Sequence, residues 1–349
     1  MLVKKLQLND YRNYSQYSVE FDPKLNIIIG KNGVGKTNIL ESIIVVSNIK
    51  SFRTLDDKDL IKKEKEYLRI LLESDTNKFK VVISNQGRSL FIDNNSIKTS
   101  SNFIGKLNAI LFKPSDLELF NQSPSERRRL LDVEIGKVSN IYLNELNKYK
   151  YLLADKNKLL KELEIDENLL SVINESMIKP IEIIITEREK FFEIINKYIS
   201  DIYQNISNSK DVIQIVYKKC CDKENILENI NKTKDKDKYY HYATFGPHHD
   251  DFEFKFNNID INSIASQGQK RMAFIAFKFA LIKYIESNIN STPIVLLDDI
   301  LSELDQDNQE RLLNQIPNNT QVIITNTDIK NLKINKEYKL IEIKEEKNV

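Results

Sequence analysis

The octapeptide GKNGVGKT, Gly30 to Thr37, is the stretch of this 349-residue chain most clearly equipped for chemistry. It fits G-x-x-x-x-G-K-[ST], follows the apolar run LNIII and opens a segment whose Ile39, Leu40, Ile43 and Ile44 recur at helical spacing. Each position suits the capture of a polyphosphate. The glycines let the backbone of Gly30, Lys31, Asn32, Gly33, Val34 and Gly35 curl until its N–H groups converge on phosphate oxygens. The start of the helix, through Asn38, adds its positive end. Lys36 is expected to reach the β- and γ-phosphates, and Thr37 to offer its hydroxyl to Mg²⁺. Three of the chain's eight glycines fall between Gly30 and Gly35, a concentration that chance matches lack.

Two further segments complete the chemistry. PIVLLDDILSELD, Pro293 to Asp305, ends a buried-looking strand in adjacent carboxylates. Asp298 is placed to hold Mg²⁺, directly or through water, and Asp299 to orient or deprotonate an attacking water. ASQGQKRM, Ala265 to Met272, precedes a long apolar helix. Ser266 and Gln269 have the spacing of a capping box, while the Ser266 hydroxyl and the Gly268 N–H can also receive a phosphate.

The elements that must position these groups alternate in type. LVKKLQL, SVEF, LNIIIG, RILLES, KFKVVIS and NAILF read as strands, with one helix from about Lys36 to Val46. SPSERRRLLDVEIG then opens a charged helical stretch, with Ser123 as cap, Pro124 at the first position and Glu126 closing a capping box. That stretch continues to about Ser207, and Pro180 is expected to divide it into at least two long helices. NKTKDKDK, Asn231 to Lys238, reads as a solvated loop. DFEFKF, the helix Ala273 to Ile285, TPIVLLDD, the helix ERLLNQI and the strand QVIIT restore the α/β pattern. The expected division is 1–115, 116–240 and 241–349, an α/β unit interrupted by a helical lobe.

Bulk properties narrow the field. Hydrophobic residues at 41% and charged residues at 30% permit a large core. No run of 18 apolar residues occurs, so no membrane span is expected. The N-terminus lacks the apolar centre of a signal peptide. The two cysteines, Cys220 and Cys221, are adjacent, a poor arrangement for a disulfide, and the chain reads as cytosolic. A net charge of +1 offers no global attraction to nucleic acid, so any such contact needs a local patch.

Taken together, GKNGVGKT, SQGQKR and LLDDILSELD resemble the Walker A, signature and Walker B/D-loop motifs of ABC-type ATPases. The wide spacing and helical insert resemble SMC-like DNA-repair heads. YRNY at Tyr11 to Tyr14, GKTNILE, SPSERRRLLD and GPHHDD extend the likeness to the bacterial RecF family, from Met1 to about Asp328. The resemblance implies an ABC-ATPase-like P-loop head, lobe I, interrupted by a helical lobe II. It implies a slow, DNA-stimulated ATPase that uses ATP and Mg²⁺ and dimerises on ATP. It further implies binding to double- and single-stranded DNA at gaps and duplex/single-strand junctions. RecR with RecO, and indirectly RecA, are its implied partners in recombination, replication, repair and the SOS response. Carried over, Ser302 to Asp305 form the D-loop, and Arg12 and Asn13 lie near the nucleotide. Ser266, Gly268 and Gln269 serve the γ-phosphate held by Lys36 of a second subunit.

Phe52, His249 and Asn326 depart from the family pattern, and Asn326 stands near the usual switch histidine, which favours slow hydrolysis. Arg127, Arg128 and Arg129 are candidate DNA-phosphate contacts, or else a helix face paired with Asp132 and Glu134. His241, His248 and His249 cluster, but their spacing matches no standard zinc pattern. The competing readings are a transporter ATPase subunit, another SMC-like repair ATPase and a P-loop small-molecule kinase. The last would need neither signature nor D-loop.

Overall fold

The computed structural model describes residues 1–329, 334 and 336–344. The chain divides into two compact units. The first comprises Met1–Leu117, Asp201–Lys210 and Arg271–Val349; the second comprises Glu118–Ser200 and Asp211–Lys270. The line expected at residue 241 falls elsewhere in this division, because 241–270 pack with the second unit.

The first unit opens with β1 (Val3–Tyr11), β2 (Tyr14–Glu20), β3 (Leu25–Ile29) and α1 (Lys36–Asn48). It continues through β4 (Tyr67–Ser74), β5 (Lys78–Ser84), β6 (Gly87–Ile92), β7 (Asn95–Ile97), the short α2 (Ser100–Phe103) and β8 (Ala109–Phe112). In the second unit lie α3 (Pro124–Gly136), α4 (Asn140–Leu159), most of α5 (Glu167–Ser207), β9 (Ile213–Lys218), α6 (Ile226–Tyr240), β10 (Asp251–Phe256), β11 (Ile259–Asp260) and the single-turn α7 (Ile261–Ile264). Helix α8 (Gln267–Ile289) leads back to the first unit, which closes with β12 (Ile294–Asp298), α9 (Gln306–Gln315), β13 (Val322–Asn326) and β14 (Lys339–Glu342).

Two sheets build the first unit. Five strands run parallel in the order β14-β3-β13-β12-β8, and β12 and β13 are buried along their length. Six strands run antiparallel in the order β2-β1-β4-β5-β6-β7. Helix α1 meets β8, β12 and β13 of one sheet and β4 and β5 of the other. That double packing explains why Ile39, Leu40, Ile43, Ile44, Val45 and Val46 are all buried, leaving no broad polar stripe.

The second unit is helical around the small antiparallel sheet β11-β10-β9. Ser123 and Glu126 form their capping box at the start of α3. Pro180, expected to break the helix, sits inside an uninterrupted α5 of 41 residues. Its cost is offset by a continuous buried face, Ile173, Met177, Ile181, Ile184, Ile185, Arg188 and onward. The expected loop Asn231 to Lys238 is likewise helical, within α6. There Asp237 is 1% exposed and ion-paired with Lys156 at 2.8 Å, while Ile226 and Ile230 anchor the same face. Alternating lysine and aspartate hid that anchor.

Candidate nucleotide site

Gly30 to Gly35 link the end of β3 to α1, which opens with Lys36 and Thr37, at the carboxyl edge of the parallel sheet, where open α/β sheets take ligands. Gly33 and Gly35 have φ of +85° and +110°, which L side chains resist. A Cβ on Gly35 would stand 2.6 Å from the Tyr14 hydroxyl and 2.8 Å from Asn13 Nδ2. That close approach leaves no room for a side chain at position 35. Asn13 Nδ2 donates to the Val34 carbonyl at 3.0 Å, and Asn38 Nδ2 donates to Asn13 Oδ1 at 2.7 Å. The YRNY turn thus braces the loop from outside.

Lys36 is 5% exposed, and its ammonium donates to the carbonyls of Gly30 at 2.7 Å and Lys31 at 3.0 Å. These bonds hold the loop closed around a cation that phosphate oxygens can take over. The Thr37 hydroxyl donates to Asp298 Oδ1 at 3.0 Å, and the Thr325 hydroxyl donates to the same oxygen at 2.8 Å. Burial pushes the Asp298 carboxyl above its ordinary range. Asp299 is also pushed up, by burial first and then by the charge of Asp298. Asp299 adopts a left-handed conformation, φ 49°, with its N–H donating to Thr325 Oγ1 at 3.1 Å. Its Oδ1 is buried without a partner. Strain and an unpaired carboxylate oxygen at one residue mark a group kept ready for something else.

A cavity of about 260 Å³ joins these parts, lined by Asn32, Gly33, Gly35, Lys36, Thr37, Asn38, Arg53 and Asp299. The oxygen donors of Thr37 and Asp298, with the orphaned Asp299 oxygen nearby, are hard ligands that suit a small divalent cation such as Mg²⁺.

Two residues here had no role in the sequence reading. Arg53 Nη1 donates to Asn38 Oδ1 at 2.7 Å and brings a cation to the cavity wall. Glu41 is fully buried and accepts from Arg12 Nε at 2.9 Å, Arg12 Nη2 at 2.6 Å and Ser51 Oγ at 2.6 Å. Arg12, expected near the nucleotide, therefore spends its fork on Glu41, with Nη1 on the Asp59 carbonyl at 2.8 Å. The signal was present in GKTNILE and SFRT: a glutamate amid an apolar helix face needs a buried cation. Phe52 lies beneath the Lys113 ammonium, 5.6 Å from its ring centre. Asn326 is 4% exposed, and its Oδ1 accepts from the N–H of Thr327 at 2.8 Å.

In the second unit, the capping box forms at the signature segment. Ser266 N–H donates to Gln269 Oε1 at 2.8 Å, and Gln269 N–H donates to Ser266 Oγ at 3.2 Å. Ser266 and Gly268 are exposed. A Cβ on Gly268 would meet nothing nearer than Ser266 Oγ at 4.0 Å, so the chain's own fold does not demand glycine there.

The arginine trio is mostly committed to structure. Arg127 forks onto Asp251 at 2.8 and 2.6 Å, and Arg128 Nη1 donates to the Asp250 carbonyl at 2.9 Å. Asp132 and Glu134 instead pair with Arg188 and Lys137. Arg129 is exposed. The histidines serve as loop fasteners. His248 bonds the Tyr149 hydroxyl at 2.5 Å and the Ala243 carbonyl at 3.0 Å, and burial lowers its pKa to about 4. His249 contacts the Ala243 carbonyl at 3.3 Å and His241 the Leu160 carbonyl at 2.8 Å.

Comparisons with known proteins identify the family and the fold. The family described as the RecF/RecN/SMC N terminal domain matches residues 2–349. The DNA replication and repair protein RecF of Agathobacter rectalis is 34% identical over 94% of this chain and 93% of its own length. That of Bacillus subtilis is 34% identical over 94% of each. Among solved structures, the recombination mediator protein RecF-ATP in the RecFOR pathway is 28% identical, with a TM-score of 0.90 over 99% of this chain and 96% of that one. The Smc head domain of Pyrococcus furiosus shares the fold, with 19% identity and a TM-score of 0.54 over 94% of this chain and 90% of that one.

Proposed function

The chain belongs to the RecF family of DNA replication and repair proteins, P-loop ATPases with an ABC-type head, and on that premise we propose that it is an ATP-gated DNA clamp. ATP binds in the cavity at the Gly30 to Thr37 loop. Lys36 exchanges its loop carbonyls for β- and γ-phosphate oxygens, while Thr37 and Asp298 hold Mg²⁺, which when bound neutralises developing phosphate charge. Asp299 receives the proton of the attacking water through its free Oδ1. Arg12 braces the site through Glu41, and Asn13 through Val34 and Asn38.

Ser266, Gly268 and the N-terminal turn of α8 complete this site from a second copy of the chain. The observation that carries this reading is the exposed, unhindered Gly268 beside an exposed Ser266. A helix that needs no glycine there keeps one where a phosphate would approach. The two-fold arrangement makes one isologous interface with two nucleotides, stable while the γ-phosphate bridges it. Hydrolysis to ADP and phosphate removes the bridge and releases the DNA. With Asn326 near the usual switch histidine, turnover is slow, which suits a timer. Gapped DNA and duplex/single-strand junctions in the cytoplasm are its targets, and RecR with RecO its partners in preparing such sites for RecA. Arg129 is the member of the arginine trio available to phosphates.

Steady-state ATP hydrolysis measured with and without gapped duplex tests the reading. It predicts a slow basal rate that rises with gapped DNA and vanishes in Lys36→Ala. A fast rate indifferent to DNA would contradict it.

A further inference from the structure

The open face of the antiparallel sheet carries chemistry that the nucleotide site does not use. Strand register sets its side chains in cross-strand rows, with neighbouring strands about 4.8 Å apart. One row runs Gln16, Asn9, Arg69, Val82, Ser89; the next runs Ser18, Gln7, Leu71, Lys80, Phe91, Ser96. Neither row holds a carboxylate. Acids enter only in the following row, where Glu20 meets Lys5 at 3.0 Å and Glu73 meets Lys78 at 3.6 Å. The reverse face is the buried one, with Leu6, Leu8, Leu68, Ile70, Val81 and Ile83 in the core.

Within the acid-free rows, Arg69 is exposed and donates to Asn9 Oδ1 at 3.1 and 3.3 Å. That partner is neutral, so it orients the guanidinium without cancelling its charge. The Lys80 ammonium lies 3.9 Å from the centre of the Phe91 ring. Tyr67, 53% exposed, stands two residues before Arg69 on β4.

We propose that this face is a binding surface for single-stranded nucleic acid, an inference that rests on the DNA-binding reading above. Arg69 and Lys80 take phosphates, and Phe91 and Tyr67 stack against bases. The occupant is a single strand because ring faces reach only unstacked bases. Two cations also anchor too few phosphates for a duplex held by charge alone. The side-chain amides of Gln7, Asn9 and Gln16, each with donors and an acceptor, can meet any base edge, so the surface tolerates sequence.

Fluorescence anisotropy of an oligo(dT) strand and of a matched duplex, titrated with the full chain plus ATP across a salt series, tests this. The variants are Arg69→Gln/Lys80→Gln and Phe91→Leu, each checked for ATP binding and thermal unfolding like the wild type. The double variant should flatten the plot of log K against log salt by about 1.4 for the single strand, at about 0.7 per phosphate lost. Phe91→Leu should weaken single-strand binding at least about fivefold at unchanged slope. Wild-type single-strand binding that both variants preserve overturns this surface and leaves the DNA-binding reading standing. A wild-type protein that binds neither DNA overturns both.

Discussion

Asp299 shows what single residues contribute to the account. Its backbone is strained, one carboxylate oxygen is buried without a donor, and Asp298 stands beside it. Burial and that neighbour raise its pKa, so ionisation costs the nucleotide-free fold. The stabilising contribution of the neutral form is present at low pH and is lost as pH rises through the raised folded pKa. Asp299→Asn removes the repulsion and should raise the unfolding temperature of the nucleotide-free protein at neutral pH while abolishing hydrolysis. An unchanged or lowered melting temperature in calorimetry would count against the strained, like-charged pair. In the wild type, hydrolysis should fall as pH drops through the Asp299 pKa, because the general base is then protonated. Gly268→Ala separates fold from function at the other motif. Alanine suits a helix better than glycine by about 0.5–1 kcal/mol, so the monomer should gain slightly in stability. The same methyl should block ATP-dependent dimerisation in light scattering, and a normal dimer would remove the phosphate role from Gly268. The nucleotide loop was legible in the sequence because its chemistry is local, eight consecutive residues with glycines where backbone must curl. Glu41 stood out only as a carboxylate amid apolar helix positions, and its partners Arg12 and Ser51 were not legible, because the pairing joins positions 29 and 10 residues apart.

At the scale of elements, α5 shows packing overriding a local rule. Proline inside a helix forfeits a hydrogen bond and strains the preceding turn, at about 3 kcal/mol in an exposed helix. Here a buried apolar face runs past Pro180 without interruption, and the helix continues. Pro180→Ala should therefore stabilise the protein by about 1–2 kcal/mol, less than the full penalty because some buried ring surface is lost. Chemical denaturation measures this, and a destabilised variant would mean that the ring fills space the helix needs. Strands were legible where apolar residues alternate, as in β4, β5 and β10. Helix α6 was missed because its sequence, NKTKDKDK, reads as solvated unless one knows that Asp237 turns inward onto Lys156. Burial of a charge is invisible without its partner, and that partner lies 81 residues upstream.

The whole molecule raises the question of how many copies make one site. The α/β class and its helical insertion were legible from the alternation of patterns. The grouping of 241–270 with the second unit was not, since His248, Asp250 and Asp251 are tied there by Tyr149, Arg188 and Arg127, contacts between distant segments. The central claim is that the signature of one chain completes the nucleotide site of another, and a mixing experiment tests it most directly. Lys36→Ala spoils only the phosphate loop, and Ser266→Arg spoils only the signature. Each variant alone should hydrolyse no ATP, and Ser266→Arg should still bind it. Mixed in equal amounts, they should recover up to about one quarter of the wild-type rate, because half of randomly assorted pairs carry one intact site out of two. A mixture as inactive as its components, despite normal ATP binding by Ser266→Arg, would contradict the shared site.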